Sequence, residues 1–250
     1  MNDNKHPAAA IAELITSSKM TCVLTGAGIS TESGIADFRS PGTGLWTKYD
    51  PMQLLSTGVM FDNPRLFYTE SVKILLPMLD AKPNRAHEIL AEMESEKLIH
   101  SLTTQNIDDL HYKAGSRNIY EVHGNLRTGR CLTCKDEPSF SSLLEKSKSG
   151  EIPPRCDKCG GVLRTNVVLF GDQLPECFED AHYDARTCDL MIVIGSSLAV
   201  APVNMLPSMA KRLAIINMGE TSCDRQADIL YREKASTALE SIYTILKRGV

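Results

Sequence analysis

Four cysteines stand in two C-x-x-C pairs, Cys131-x-x-Cys134 and Cys156-x-x-Cys159, with residues 135–155 between them. That spacing suits two thiol knuckles closing on one tetrahedral zinc ion. Four thiolates fill the coordination shell and leave no position for water, so such a metal supports the fold and performs no hydrolysis. A short polar insertion buries too little surface to stay folded unaided, which argues against four unligated thiols. Cys22 reads as a core residue of a strand, and Cys177, Cys188 and Cys223 as ordinary thiols.

A second chemistry-bearing group begins at Gly26-Ala27-Gly28, where missing side chains allow backbone N–H groups to approach a pyrophosphate. The next glycine, Gly34, stands six residues after Gly28 instead of three, so the dinucleotide fingerprint is incomplete and a plain strand-to-helix turn explains the glycines equally well. Ser30, Thr31, Glu32 and Ser33 follow with polar groups, and Asp37-Phe38-Arg39 adds a carboxylate, an aromatic ring and a guanidinium suited to phosphate. Taken locally, Phe38 could equally be core, and Asp37 with Arg39 a surface ion pair. Farther on, Thr104-Gln105-Asn106-Ile107-Asp108-Asp109 and His123-Gly124 place amides, carboxylates and an imidazole directly after apolar runs. Each could be a turn or cap residue; their convergence at strand ends is what suggests a site.

The elements that must position these groups alternate. Residues 20–25 (MTCVLT), 98–103, 119–122, 189–194 (DLMIVI) and 213–217 (LAIIN) read as strands, several of them buried on both faces as in a parallel sheet. Residues 85–96 and 237–246 carry apolar positions at helical spacing, and residues 1–16 read as an amphipathic helix without the basic flank and long apolar stretch of a secretory signal. This pattern predicts an α/β fold with a doubly wound parallel sheet, interrupted by a helical insertion at 41–84 and a cysteine-bearing one at 126–165.

Composition narrows the classes. The 250 residues are 42% hydrophobic and 23% charged with a net charge of −4, which offers no basic footprint for nucleic acid. No apolar run is long enough to span a bilayer. Cysteines in metal-type spacing, in a chain large enough to need no staples, point to a reducing compartment and a cytoplasmic protein.

In order along the chain stand GAGISTESGIADFRSP at 26–41, KPNRAH at 82–87, TQNIDDLH at 104–111, HG at 123–124, the two cysteine pairs, NVVLFGDQLP at 166–175, GSSLAVAPVNMLP at 195–207 and IINMGET at 215–221. This succession resembles the sirtuins over almost the whole chain. The resemblance implies a large Rossmann-like NAD-binding domain (1–40, 85–125 and 166–250) and a smaller one made of a helical part (41–84) and a zinc part (126–165). It implies that Gly26, Ala27, Gly28 and Ser30 line the NAD phosphates and ribose, with Thr31, Phe38 and Arg39 on a mobile loop. Gln105, Asn106, Ile107 and Asp108 would meet the nicotinamide ribose and amide; Gly195, Ser196, Ser197, Asn217, Met218, Lys234 and Ala235 would meet the adenosine. Cys131, Cys134, Cys156 and Cys159 would hold the structural zinc.

His123 matches the family's general base, with Asn106 and Asp108 beside it in the catalytic group. The implied reaction is deacetylation of protein lysine, with NAD consumed as a co-substrate and nicotinamide and O-acetyl-ADP-ribose as products. Mono-ADP-ribosyl transfer, or removal of longer apolar acyl groups, are the alternatives. The implied partners are acetyl-lysine proteins or peptides, bound to a monomer as an extended strand along Val168, Leu169, Phe170 and Gly171 and along Leu198, Ala199 and Val200. Three positions depart from common family patterns: Ser71 stands where members acting on acidic acyl groups have an arginine, so desuccinylation should be poor; Asp109 replaces a frequent glycine; and Asp172 replaces a frequent glutamate.

Overall fold

The computed structural model describes residues 5–37, 44 and 50–249. Its centre is a six-stranded, wholly parallel sheet in the order β3-β2-β1-β6-β7-β8. The strands are β1 (Thr21–Thr25), β2 (Ser101–Thr104), β3 (Ile119–Glu121), β6 (Leu190–Ile194), β7 (Arg212–Ile216) and β8 (Ile229–Tyr231). β1 and β6 are buried at every position, as suits strands covered on both faces: β6 is apolar throughout, and β1 has threonine at each end of Cys22-Val23-Leu24. The chain leaves β1 towards β2 and β3 on one side and returns through β6 to β8 on the other, so the topological switch lies between β1 and β6. Ligands of open α/β sheets bind beyond the strand ends at such a point.

Helices cover both faces. α1 (Pro7–Ser17), α6 (Arg85–Ser95) and α10 (Ala235–Arg248) pack Ile11, Ile89, Leu90, Met93, Leu239 and Ile242 against Val23, Ile192 and Ala214. On the opposite face α9 (Cys177–Thr187) brings Ala181 and Ala185 to Cys22, Leu24, Val193 and Ile215. α1 starts with proline in its first turn, where no N–H is needed, and the His6 ring accepts from Ala8 N–H. α6 is closed by a capping box in which Asn84 and His87 exchange bonds with each other's backbone.

The doubly wound parallel sheet expected from the sequence is the one observed, with local differences. The strand expected at 98–103 starts at Ser101, because α6 ends in a Schellman turn: Lys97 takes φ 60°, and Leu98 N–H reaches back to Met93 C=O at 2.9 Å. α9, whose buried apolar positions are the small Ala181 and Ala185, and β8, three residues long, are not among the elements expected from the sequence.

Among the described residues between β1 and α6 run four short α-helices: α2 (Pro51–Leu54), α3 (Thr57–Asp62), α4 (Pro64–Leu66) and, after a π-helical turn at Phe67–Ser71, α5 (Val72–Leu79). Phe67, Tyr68, Leu75 and Met78 join Ile107, Leu126, Phe140, Val167 and Leu169 in a separate apolar cluster. Beyond β3, α7 (Leu110–Ala114) having preceded it, an antiparallel pair of β4 (Gly129–Cys131) and β5 (Leu163–Thr165) flanks α8 (Phe140–Lys148). Its own apolar cluster is small: Cys131, Leu143, Cys156 and Leu163.

Candidate active site

A cleft of about 820 Å³ opens over the C-terminal ends of the parallel strands. Each wall continues from one strand: Gly26, Ala27, Gly28 and Thr31 after β1; Gln105 and Asn106 after β2; His123 after β3; Gly195, Ser196 and Ser197 after β6; Asn217 and Met218 after β7; Lys234 and Ala235 after β8. Residues separated by as much as 200 positions thus meet because six parallel strands all point their carboxyl ends the same way. Glu32, Asp37, Glu220 and Glu233 also line the cleft. Glu220 stands in IINMGET without an expected role, and Glu233, at the β8 end, stands in no motif.

The glycines are explained first by packing. Gly28 N–H donates to Gly195 C=O at 2.8 Å, and a Cβ on Gly28 would lie 2.8 Å from the Cα and C=O oxygen of Gly195. Gly195 itself has φ 63° and a Cβ there would come 2.3 Å from Ile29 N. The loops after β1 and β6 therefore touch backbone to backbone, which only glycine permits, and this contact closes the switch point. After it the chain turns into a short 3₁₀ helix, Ala27–Ser33, capped by Gly34 at φ 84°.

Ser30, Ile107 and Asp108 are buried beneath the cleft floor instead of lining it. Ser30 Oγ donates to Asp108 Oδ2 at 2.7 Å and accepts from Asn106 Nδ2 at 3.2 Å; Asn106 Nδ2 also donates to Gly26 C=O at 3.1 Å. Asp108 Oδ1 accepts from Leu110 N–H at 3.0 Å, capping α7. Burial raises the pKa of Asp108, against these donors. Asn106 Oδ1 has no partner within the described residues although it is buried. An acceptor left open in a cleft-lining amide fits a hydroxyl or amide donor of a ligand.

Two buried histidines sit below this layer. Asn84 N–H donates to His87 Nδ1 at 3.3 Å, so Nε2 carries the proton and faces Ser30 Oγ at 3.4 Å. Thr25 Oγ1 donates to Thr104 Oγ1 at 2.8 Å, which leaves His111 Nε2 to donate to Thr25 at 2.9 Å. The His87 ring is thereby neutral, and burial agrees: it pushes His87 down to about 4, and it pushes His111 well below its ordinary value. The sequence offered only KPNRAH and TQNIDDLH as strings here, with nothing to say that their histidine rings meet, centroids 4.8 Å apart and tilted by 60°.

His123 is half-buried at the cleft wall. Its Nδ1 lies 3.0 Å from Gln105 C=O, which can only accept, so Nδ1 is the protonated nitrogen and the lone pair is on Nε2. Gln105 in turn donates through Nε2 to Ser196 Oγ at 2.9 Å, joining the β2 and β6 ends. Gly124 has φ 76° and its Cβ would lie 1.9 Å from Asn166 C=O, so the chain after His123 is pressed against the segment that follows β5. Val168 N–H donates to His123 C=O at 2.9 Å.

That segment, 166–172, has a neighbour already. Phe170 donates to Leu55 C=O at 2.9 Å and accepts from Thr57 N–H at 3.0 Å, forming a parallel bridge with Ser56. Leu169 N–H and the buried Arg164 guanidinium both reach Asp172. Burial raises the Asp172 pKa and these donors outweigh it, for a net lowering. An extended edge running the full length of Val168 to Gly171 is therefore not open: Phe170, expected on that edge, has both backbone groups engaged, while its ring is exposed. Leu198 is buried in a left-handed conformation, φ 55°, with its C=O taken by Ser222 Oγ, so only Ala199 and Val200 of the second expected edge face outward in part.

Ser71 is fully buried, and Tyr68 donates its hydroxyl to Leu163 C=O at 2.8 Å. Phe38 and Arg39 lie outside the described residues. The four cysteine sulfurs lie within 4.8 Å of one another, with Cys131–Cys159 at 3.5 Å and Cys134–Cys156 at 3.7 Å. A tetrahedron with metal–sulfur bonds of about 2.3 Å has edges of about 3.8 Å, so the set is sized for one zinc ion. Cys22 and Cys188 are buried together against the sheet; hydrogen bonding to Cys188 and burial push the Cys22 thiol far up, which makes it inert.

The family model for the Sir2 family matches residues 26–202. A curated relative, NAD-dependent protein deacetylase 2 of Caldanaerobacter subterraneus subsp. tengcongensis, is 58% identical over 245 residues, 98% of each chain. The NAD-dependent protein deacetylase of Thermotoga maritima is 40% identical, covering 88% of this chain and 90% of that one. Among solved structures, a Sir2 complex with a deacetylated peptide and 3′-O-acetyl-ADP-ribose superposes with TM-score 0.89 at 36% identity, covering 96% of this chain and 98% of that one. A Sir2 complex with a peptide and NAD+ gives TM-score 0.86 at 36% identity, with 94% and 96% covered. With the family model matched over more than half of its length and relatives this similar along nearly all of it, the chain belongs to the Sir2 family.

Proposed function

We infer that this chain is an NAD-dependent protein-lysine deacetylase, which moves an acetyl group from a lysine side chain to ADP-ribose and releases nicotinamide, free lysine and O-acetyl-ADP-ribose. The observation that carries this reading is an imidazole whose Nδ1–H is held by Gln105 C=O, in one cleft with the Gly26–Gly28 turn. NAD supplies an electrophilic ribose carbon and the hydroxyl that finally takes the acyl group. The chain's own part is orientation, proton transfer and exclusion of water.

His123 Nε2 is the base for the ribose hydroxyl. Asn106 and the Ser30–Asp108 pair set the floor on which the nicotinamide ribose rests, the open Asn106 Oδ1 meeting a donor of the ligand. The polar ends of β6, β7 and β8 receive the adenosine, and Thr31 lines the cleft beside the Gly26–Gly28 turn where the pyrophosphate would lie. The acyl-lysine peptide enters beside His123 between the 166–172 turn and residues 199–200, and meets the Val168 C=O and the Gly171 N–H instead of a free strand edge.

We place zinc on Cys131, Cys134, Cys156 and Cys159 as a structural ion. The division into 1–40, 85–125 and 166–250 against 41–84 and 126–165 is supported by the apolar clusters on the two sheet faces and by the small cysteine-bearing one, while a further cluster packs the parts together across the boundary through Ile107, Leu126, Phe140 and Val167. Thiols that must stay reduced to hold a metal favour a cytoplasmic location. Among the described residues no helix is long and apolar enough to cross a membrane.

The test is mass spectrometry of NAD incubated with the protein and an acetylated peptide. O-acetyl-ADP-ribose formed in step with nicotinamide and free lysine is expected. Stable ADP-ribosylated protein or peptide without that ester would overturn deacetylation in favour of ADP-ribosyl transfer.

A further inference from the structure

The segment that carries His123 is a tight turn after β3. Gly124 N–H returns to Glu121 C=O at 2.9 Å, Asn125 Nδ2 donates to Glu121 Oε2 at 3.1 Å, and Arg127 N–H donates to Asn125 Oδ1 at 3.1 Å. The turn is then closed by its own ends. Arg127 grips Glu121 with two parallel bonds of 2.7 and 2.6 Å, the strongest geometry available to such a pair. The same guanidinium donates to Asp109 Oδ1 at 2.5 Å and lies over the Tyr112 ring, 4.6 Å from its centroid.

Asp109 belongs to the other half of the site. It follows Asp108 directly and opens α7, in a left-handed conformation of φ 66° and ψ 7° that suits glycine better than a residue with a Cβ. What offsets that cost is its carboxylate's bond to Arg127. The side chains of Arg127, Asp109 and Glu121 are 31%, 9% and 18% exposed, too covered for a solvent-screened surface bridge.

We propose that Arg127 is a positioning residue for His123, closing the turn that carries the imidazole and tying it through Asp109 to the segment that carries Asn106 and Asp108. The proposal rests on the reading of His123 as the base. One guanidinium serves two carboxylates, with Asp108 and Lys113 as the further charges close to Asp109. Removing it leaves Asp109 and Glu121 facing each other half-buried, so the turn and α7 would repel, which is more than a lost attraction. Two backbone bonds hold the segment independently, Leu126 N–H to Ile107 C=O and Val168 N–H to His123 C=O, so the turn shifts without unfolding.

The base acts after nicotinamide has left, so the first chemical step reports on binding and the second on His123. Labelled nicotinamide exchange into NAD, measured with acetyl-peptide present, isolates the first; peptide deacetylation requires both. For Arg127→Met we expect deacetylation kcat to fall about 10–100-fold, the effect of misplacing a catalytic group by about 1 Å, with exchange held within about threefold. Arg127→Lys, with charge but no fork, should fall between. Asp109→Gly tolerates the positive φ and keeps the Arg127–Glu121 pair, so it serves where Arg127→Met folds poorly; a three- to tenfold loss of deacetylation with exchange intact is expected.

Deacetylation within twofold of the parent in Asp109→Gly and a folded Arg127→Met overturns the proposal. So does exchange falling in step with deacetylation, which would make the cluster merely structural. His123→Ala in parallel separates the two ideas. If His123→Ala still deacetylates, the base assignment fails and the proposal with it; if it loses deacetylation, keeps exchange and Arg127→Met does not follow, the proposal alone fails.

Discussion

The cleft over the parallel sheet and the four-cysteine module beside it are built on opposite principles. The cleft is made of strand ends whose positions are fixed by a core of Val23, Ile192, Ala214 and their helix partners, and its closest contacts are backbone to backbone at Gly28 and Gly195. The module has two three-residue strands, one helix and a buried cluster of four residues, two of which are cysteines. Hydrophobic burial is sufficient for the first. The second lacks the apolar area to order its loops, so its stability must come from bonds to a metal. Function inherits this asymmetry, because β5 of the module leads straight into the 166–172 turn that packs on Gly124 and His123.

The largest effect should come from attacking the module. Removing zinc with a chelator, or replacing Cys131 by Ser, should abolish deacetylation, since structural zinc sites of this type contribute on the order of 10 kcal/mol to local folding. Hydrogen exchange should show the amides of β4, β5 and α8 losing protection while those of β1 and β6 keep theirs. Loss of protection across both regions at once would break the comparison, and so would metal-free protein with an unchanged exchange map.

A smaller effect should follow from disturbing the cleft's backbone contact. Gly28→Ala places a Cβ 2.8 Å from Gly195 backbone atoms that have no flexible end to move aside. Overpacking of this kind costs about 1–3 kcal/mol. The thermal midpoint should drop, and NAD affinity should fall as the two loops separate, while zinc content stays at one per chain. Unchanged NAD binding would mean that the loop contact does not shape the cleft.

How legible each region was follows from the same contrast. The cysteine pairs announce themselves by residue type and spacing, and the strands ending at Thr25, Ile194 and Ile216 by apolar runs. His123 and Asn106 could be placed at strand ends because polar residues follow apolar ones there. The burial of Ser30 and Asp108 below the cleft could not be read, since both stand among polar neighbours that do line it. Nor could the role of Phe170, whose partners Leu55 and Thr57 lie more than a hundred residues away, or the Arg127 bond that explains an aspartate at φ 66°. These are tertiary pairings of single residues, without period or spacing to betray them.

The smallest effect concerns acid, and it distinguishes the two regions by slope. His87 is buried neutral under the cleft with its pKa at about 4 against an ordinary 6.5, so between those values the unfolded chain holds a proton that the folded chain refuses. Its contribution is complete above pH 6.5 and is lost as pH falls towards 4, up to about 3 kcal/mol. Asp109 works in the opposite sense. Burial, with Glu121 and Asp108 adding to it, raises its pKa from 3.8 to about 6 against the pull of Arg127. The folded chain therefore takes up that proton first, and acidification from pH 6 towards 3.8 favours it, which offsets part of the histidine's loss. Urea unfolding of His87→Gln, followed from pH 7 to 4.5, should show a flatter decline than the parent, and Asp109→Asn a steeper one. Hydrogen exchange over the same range should assign the flattening in His87→Gln to β1, β2 and α6. Amides of β4 and β5 should keep the parent's acid sensitivity, because there the groups that proton binding disables are the thiolates that hold the metal. Equal slopes in His87→Gln and the parent would remove His87 from the account and leave His111 and the metal site as the acid-sensitive elements.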